Sequence, residues 1–157
     1  STFNIISHSN LIDISLEGAN ILDLYSGIGS FGIECISRGS KKTTFVEDNN
    51  KALTILKKNI EQLNIKNKSR IFEAKIISFL NQINKDEKYD VLFLDPPFSE
   101  NFFIKELKII KDSNICQKNH LIIIHREEKT KDDLSGLMNI FMIKKYGRSK
   151  VLFGSLT

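Results

Sequence analysis

Apolar residues recur along this chain in two alternating rhythms, short unbroken runs and stripes spaced three and four residues apart, which predicts strands and helices taking turns. The first run, Ile21-Leu22-Asp23-Leu24, is too short for a helix and meets a glycine cluster, Gly27-Ile28-Gly29-Ser30-Phe31-Gly32. Helix-compatible residues follow, so strand, tight turn and a helix over 30–38 are predicted, with Gly39-Ser40 as its stop. Thr43-Thr44-Phe45-Val46 is rich in β-formers and carries Glu47 to its end. Asp48-Asn49-Asn50 can cap the next helix, whose Leu53, Leu56, Ile60 and Leu63 make one apolar stripe. A turn over 64–67, a short strand over 70–72, a helical piece over 76–80 and a solvated loop over 85–88 come next. The run from Tyr89 to Leu94 has the continuous apolarity of a strand buried on both faces, and it stops at Asp95-Pro96-Pro97-Phe98. An amphipathic helix over 101–111, a strand over 120–125, and strands over 140–143 and 150–153 around a turn at 144–149 complete the pattern. Residues 2–7 read as the tail of a further helix.

Alternating β and α segments closed by a hairpin imply an α/β fold: a doubly wound, mostly parallel seven-stranded sheet with an antiparallel C-terminal strand. At 157 residues and 41% hydrophobic content the chain is predicted to be one domain over 1–157, too small to add a separate substrate domain. Cys35 and Cys116 have no C-x-x-C spacing and read as reduced core thiols. His8, His120 and His125 lack metal-ligand spacing, so no metal is expected. No apolar run approaches a membrane span and no signal segment opens the sequence, which places the protein in the cytoplasm, away from membranes. The net charge of +4 favours a polyanionic partner, although the Ile, Asn and Lys bias of an AT-rich genome would produce it unaided.

In sheets of this class ligands sit off the carboxyl ends of the strands, and the three polar clusters, Asp23 to Gly29, Glu47 and Asp95 to Phe98, all fall there. Gly27-x-Gly29-x-x-Gly32 satisfies the dinucleotide fingerprint, with Glu47 near the distance expected of a ribose ligand. The strand does not run straight into the first glycine, however. Asp23-Leu24-Tyr25-Ser26 intervenes, and D-x-x-x-G-x-G resembles the first motif of S-adenosylmethionine (AdoMet) methyltransferases. Asp23 there suits an ammonium and would repel a pyrophosphate. Asp95-Pro96-Pro97-Phe98 is the most specific feature: two prolines give a stiff turn between an acid and an aromatic ring, suited to clamping a planar amine for in-line methyl transfer.

Taken together, Asp23-Leu24-Tyr25-Ser26-Gly27-Ile28-Gly29-Ser30-Phe31-Gly32-Ile33-Glu34, Ser37-Arg38-Gly39, Phe45-Val46-Glu47, Asp95-Pro96-Pro97-Phe98 and Tyr146-Gly147 resemble the RsmD family over nearly the whole chain. That family comprises bacterial AdoMet-dependent methyltransferases acting on the N2 amine of a guanine in 16S ribosomal RNA. The resemblance implies a class I, Rossmann-like methyltransferase fold. It implies that Asp23, Ser26, Gly27 and Gly29 line the methionine part of AdoMet, that Tyr25 belongs to the same cofactor site, that Glu47 holds the ribose, and that Asp48, Lys75 and Ile76 lie near adenine. Asp95, Pro96, Pro97 and Phe98 would hold the target base. Two departures stand out. The basic Arg-Pro-Thr segment with which the family usually begins is absent, so an N-terminal segment is expected to be missing. Lys75 stands where similar enzymes carry Asp or Asn, which leaves adenine recognition to backbone groups around Lys75 and Ile76.

Lys144, Lys145, Tyr146, Arg148 and Lys150 form the best candidate RNA surface, whereas Lys41-Lys42 and Lys57-Lys58 read as solvated faces. The implied partner is ribosomal RNA or a small-subunit assembly particle, met by a monomer. Three readings remain beside this one: an adenine-N6 or protein glutamine methyltransferase, a nicotinamide oxidoreductase, and a non-catalytic RNA-binding or assembly module of the same fold.

Overall fold

The computed structural model describes residues 1–97 and 101–157. Among the described residues the elements run α1 (Thr2–His8), β1 (Asn20–Leu24), α2 (Ser30–Ser37), β2 (Lys42–Glu47), α3 (Asn50–Gln62), a 3-10 turn (Lys66–Lys68), β3 (Ser69–Glu73), α4 (Ile76–Gln82), β4 (Tyr89–Leu94), α5 (Phe102–Ser113), β5 (Cys116–Glu127), β6 (Met138–Tyr146) and β7 (Ser149–Leu156). The strands form one seven-stranded sheet in the order β3-β2-β1-β4-β5-β7-β6. β1 to β5 pair in parallel, and β7 runs antiparallel between β5 and β6. The chain winds outward from β1 to β3, returns to place β4 against β1, then winds outward the other way. Strand order therefore reverses between β1 and β4, which opens a crevice at their carboxyl ends.

Successive strand residues point to opposite faces, and the core divides accordingly. Leu22, Leu24, Leu92, Leu94, Ile122 and Ile124 meet Phe79, Leu80, Phe103, Leu107 and Ile110 of α4 and α5 on one face. On the other, Ile21, Val91, Leu121 and Ile123 meet Phe31 and Cys35 of α2 and Ile6 of α1. The stripe of α3, Leu53, Leu56 and Ile60, closes over Phe45 and Ile36 on that side. α1 is tied down by a stack of rings, Phe3 on Phe31 at 5.2 Å and Phe31 on Phe93 at 4.1 Å, with the Arg38 guanidinium 4.7 Å from the Phe3 ring centre.

The C-terminal hairpin differs from the sequence expectation. β6 continues to Tyr146, which pairs with Ser149, so Lys144 and Lys145 lie in a strand and the turn is confined to Gly147-Arg148. Gly147 has φ +57°, the conformation that a two-residue hairpin turn demands. β6 is an edge strand whose last residues are exposed on both faces, so no alternating apolar pattern marks them. β5 likewise extends beyond its apolar centre at both ends.

Candidate active site

The register of the sheet assembles the site. Leu24 pairs with Val46 on one side and Leu94 on the other, and Leu94 pairs with Ile124. The next residue on each strand therefore stands at one level across the carboxyl edge, in the order Glu47, Tyr25, Asp95, His125. An open cleft of about 990 Å³ lies over this edge. Tyr25, Glu47, Asp48, Lys75 and Ile76 line it on one side, and Asp95, Pro96 and Pro97 on the other, with Phe102, Lys105 and Glu106 of α5 beside them. Phe98 lies outside the described residues.

The glycine turn is built differently from the sequence expectation. Tyr25, Gly27 and Gly29 all have positive φ, and the Gly29 N–H donates to the Ser26 carbonyl at 2.9 Å, closing the turn at the N-cap of α2. Asp23 does not reach the cleft. Its carboxylate is 1% exposed, its Oδ2 accepts the Gly32 amide at 3.0 Å, and its Oδ1 is buried without a partner. Burial pushes its pKa well above the ordinary carboxylate value; the Gly32 N–H opposes that shift, and the nearby charges of Asp95 and Glu47 add to it. Gly29 and Gly32 serve packing rather than ligand approach, since a Cβ at either would come within 2.4 Å of the Leu56 or Phe45 side chain. Gly27 faces open space, and its N–H donates to Glu47 Oε1 at 2.7 Å. Ser26 donates its N–H to the Val46 carbonyl at 3.1 Å, while its Oγ is buried without a partner. Asp23 and Gly29 thus shape the wall from behind. Tyr25, Glu47, Asp48, Lys75 and Ile76 form its surface.

Glu47 fastens this wall to α3. Its Oε2 accepts the amides of Asp48 at 3.1 Å and Asn49 at 2.9 Å, just before the helix that Asn49 caps. Three N–H groups converging on one carboxylate orient it, and a carboxylate's lone pairs still leave room for a hydroxyl donor. On the opposite side, the Tyr25 hydroxyl donates to Glu106 Oε1, linking the turn to α5.

Two residues that sequence reasoning passed over grip the Asp95-Pro96-Pro97 corner. His125 Nδ1 is 2.8 Å from Asp95 Oδ1. Arg126, 2% exposed, donates from Nη1 to the Pro97 carbonyl at 3.1 Å. The same guanidinium holds Asp132 through Nε at 2.8 Å and Nη2 at 3.3 Å, and lies 4.7 Å from the Phe103 ring centre. The available signal was the chain's own pattern: the run Leu121–Ile124 ends in polar residues just as the run ending at Leu94 does, and a parallel neighbour strand puts the two ends side by side.

The basic residues of the hairpin do not line the cleft. Lys145 pairs with Glu128 at 3.1 Å and the Lys150 ammonium donates to the Thr130 carbonyl at 2.6 Å, whereas Lys144, Tyr146 and Arg148 are exposed. Lys57, read as solvated, pairs with Glu73 at 2.8 Å. Among the described residues no cluster of three potential metal ligands exists, and no helix is long and apolar enough to cross a membrane.

Comparison with known proteins adds to this geometry. The family model described as Conserved hypothetical protein 95 matches residues 1–155. A protein named ribosomal RNA small subunit methyltransferase D from Buchnera aphidicola subsp. Baizongia pistaciae is 33% identical over 154 residues, covering 98% of this chain and 74% of that one. The Haemophilus influenzae protein of the same name is 33% identical over 114 residues, a match that spans 72% of this chain and 59% of that one. Among solved structures, HI0767 of Haemophilus influenzae, provisionally named a methylase, superposes with a TM-score of 0.82 at 26% identity, covering 99% of this chain and 94% of that one. A more distant fold relative, SMU.776, with a TM-score of 0.73 and 14% identity over 97% of this chain and 47% of its own, is provisionally named a methyltransferase and was solved complexed with SAH. With a family-model match over residues 1–155 and a relative 33% identical to it over 98% of its own length, the chain belongs to the Conserved hypothetical protein 95 family, the family of the ribosomal RNA small subunit methyltransferase D proteins.

Proposed function

We propose that this chain carries out AdoMet-dependent methyl transfer to the exocyclic N2 amine of a guanine in 16S ribosomal RNA. The observation that carries the reading is a single cleft lined on one side by Glu47 and Asp48 and on the other by Asp95, Pro96 and Pro97. The names of the small-subunit RNA methyltransferase relatives supply the substrate class.

The residues present fit AdoMet. Ser26 Oγ, next to Gly27 and its open space, is a buried hydroxyl without a partner, a costly arrangement that a polar group of the cofactor would relieve. Glu47, already oriented by three amides, would hold ribose hydroxyls, and Asp48, Lys75 and Ile76 would border adenine. When bound, AdoMet supplies an electrophilic methyl on a sulfonium that is a good leaving group.

The chain's own contribution is placement and proton acceptance. The Pro97 carbonyl is committed to Arg126, so Pro96 contributes the carbonyl, and Asp95 the carboxylate, that receive the hydrogens of a planar amine. The nitrogen becomes acidic as it acquires the methyl, and Asp95 takes the proton it gives up; no stronger base is needed. Phe98 would stack on the base. A guanine amine is shielded in a duplex, so the nucleotide must enter unpaired or flipped out. Lys144, Tyr146 and Arg148 are proposed to hold flanking RNA.

The test is tritiated methyl transfer from AdoMet to small subunits isolated from cells lacking this activity, followed by nucleoside analysis. Label in N2-methylguanosine supports the proposal. Label in an adenine or a glutamine, or no transfer to naked or protein-bound RNA, overturns it.

A further inference from the structure

We propose that His125 is a positioning residue for the base-holding corner: its imidazole fixes the Asp95 carboxylate so that Oδ2 is presented to the substrate amine. This deepens, and rests on, the methyl-transfer reading above. Asp95 sits one residue beyond the end of β4, and its side chain is 46% exposed. A carboxylate in that position turns freely about two torsions unless something holds it, and an amine held by a turning acceptor spends little time in line for attack.

The holding group comes from the neighbouring strand. The pairing of Leu94 with Ile124 sets His125 level with Asp95, and the ring nitrogen lies 2.8 Å from Oδ1. A carboxylate oxygen accepts, so Nδ1 carries the proton in this contact. Oδ1 is thereby engaged, while Oδ2 takes no hydrogen bond among the described residues. The division suits the work: one oxygen anchored, the other turned to the amine. Next to it, Arg126 fixes the main chain of the same corner at Pro97, so consecutive residues of β5 hold the carboxylate and the backbone. His125 touches neither the base nor the donor in this account and acts through Asp95.

The choice of substitutions follows from imidazole geometry. The amide nitrogen of Asn falls close to where Nδ1 stands and can donate in its place without titrating, whereas Leu fills similar volume and donates nothing. The experiment measures kcat and KM for small-subunit RNA, AdoMet affinity by calorimetry, and thermal unfolding for the wild type, His125→Leu and His125→Asn. The expected result is a kcat about ten- to hundredfold lower in His125→Leu, with RNA KM and AdoMet affinity within about threefold, and recovery in His125→Asn to within about threefold of the wild type. A merely structural histidine would not give that split or that rescue. Wild-type kcat in His125→Leu, an Asn variant as slow as the Leu variant, or a loss expressed as weaker AdoMet binding each overturns the proposal. A wild type that transfers no methyl overturns the methyl-transfer reading and this proposal together, whereas an active wild type matched by His125→Leu overturns this proposal alone.

Discussion

Arg126 separates stability from function in a way that can be measured. It is 2% exposed and Asp132 9%, and the two are joined by two hydrogen bonds, at 2.8 and 3.3 Å. Replacing it by Met keeps the apolar contact with Phe103 but leaves a buried carboxylate and the Pro97 carbonyl without their donor. Removing one partner of a buried pair costs about 3–5 kcal/mol, whereas replacing both with apolar residues is often close to neutral. For a chain of this length about 3 °C of Tm corresponds to 1 kcal/mol, so Arg126→Met should lower the melting temperature by about 9–15 °C. The double variant Arg126→Met with Asp132→Leu should recover most of that loss. It should not recover methyl transfer, because the Pro97 carbonyl still lacks its donor and the corner is no longer fixed. Calorimetric or circular-dichroism melting read beside transfer kinetics tests both halves. A single variant melting within about 3 °C of the wild type refutes the energetic argument. A double variant that regains stability and full activity together refutes the positioning role.

Other consequences concern the opposite wall and the charged surface. Glu47→Ala frees three amides and should lower Tm by a few degrees while reducing AdoMet affinity at least tenfold by calorimetry, an estimate of about 1.4 kcal/mol or more for lost charge-assisted bonds; unchanged affinity would remove Glu47 from the cofactor site. Asp23 has its pKa raised by burial, so the folded state binds its proton more tightly than the unfolded chain, and its contribution to stability is present at low pH and is lost as pH rises from about 4 through the raised value. Asp23→Asn should flatten that decline in a Tm-against-pH series, and an unchanged slope would refute the assignment. Substituting Lys144 and Arg148 by Ala should weaken RNA binding without altering AdoMet affinity, and should reduce the salt dependence by about one counterion per residue; an unaltered salt slope would place the RNA elsewhere.

The parts of the fold written in apolar rhythm were legible in the sequence: the run ending at Leu94, the glycine turn and the stripe of α3 lie where the pattern puts them, except that Leu63 falls at the C-cap beyond α3 and is exposed. The hairpin was less so, because the end of β6 is an exposed edge whose strand character comes from pairing with β7 rather than from burial. Within the site, Asp95 and Glu47 were readable because each closes a buried strand with a carboxylate. His125 and Arg126 were not, since their meaning comes from β5 lying beside β4, a relation between residues 30 apart that hydropathy does not encode. The glycine motif was recognised, but its division of labour was hidden. That Gly29 and Gly32 yield space to Leu56 and Phe45, and that Asp23 turns inward to Gly32, are facts of packing.

The central claim is that one cleft holds the methyl donor against the Glu47 wall and the base against the Asp95 corner. AdoMet calorimetry on Asp95→Ala, read beside methyl transfer to small-subunit RNA, tests it most directly. The account predicts donor affinity within about threefold of the wild type together with abolished transfer. Donor binding and transfer lost to the same extent in that variant would contradict it.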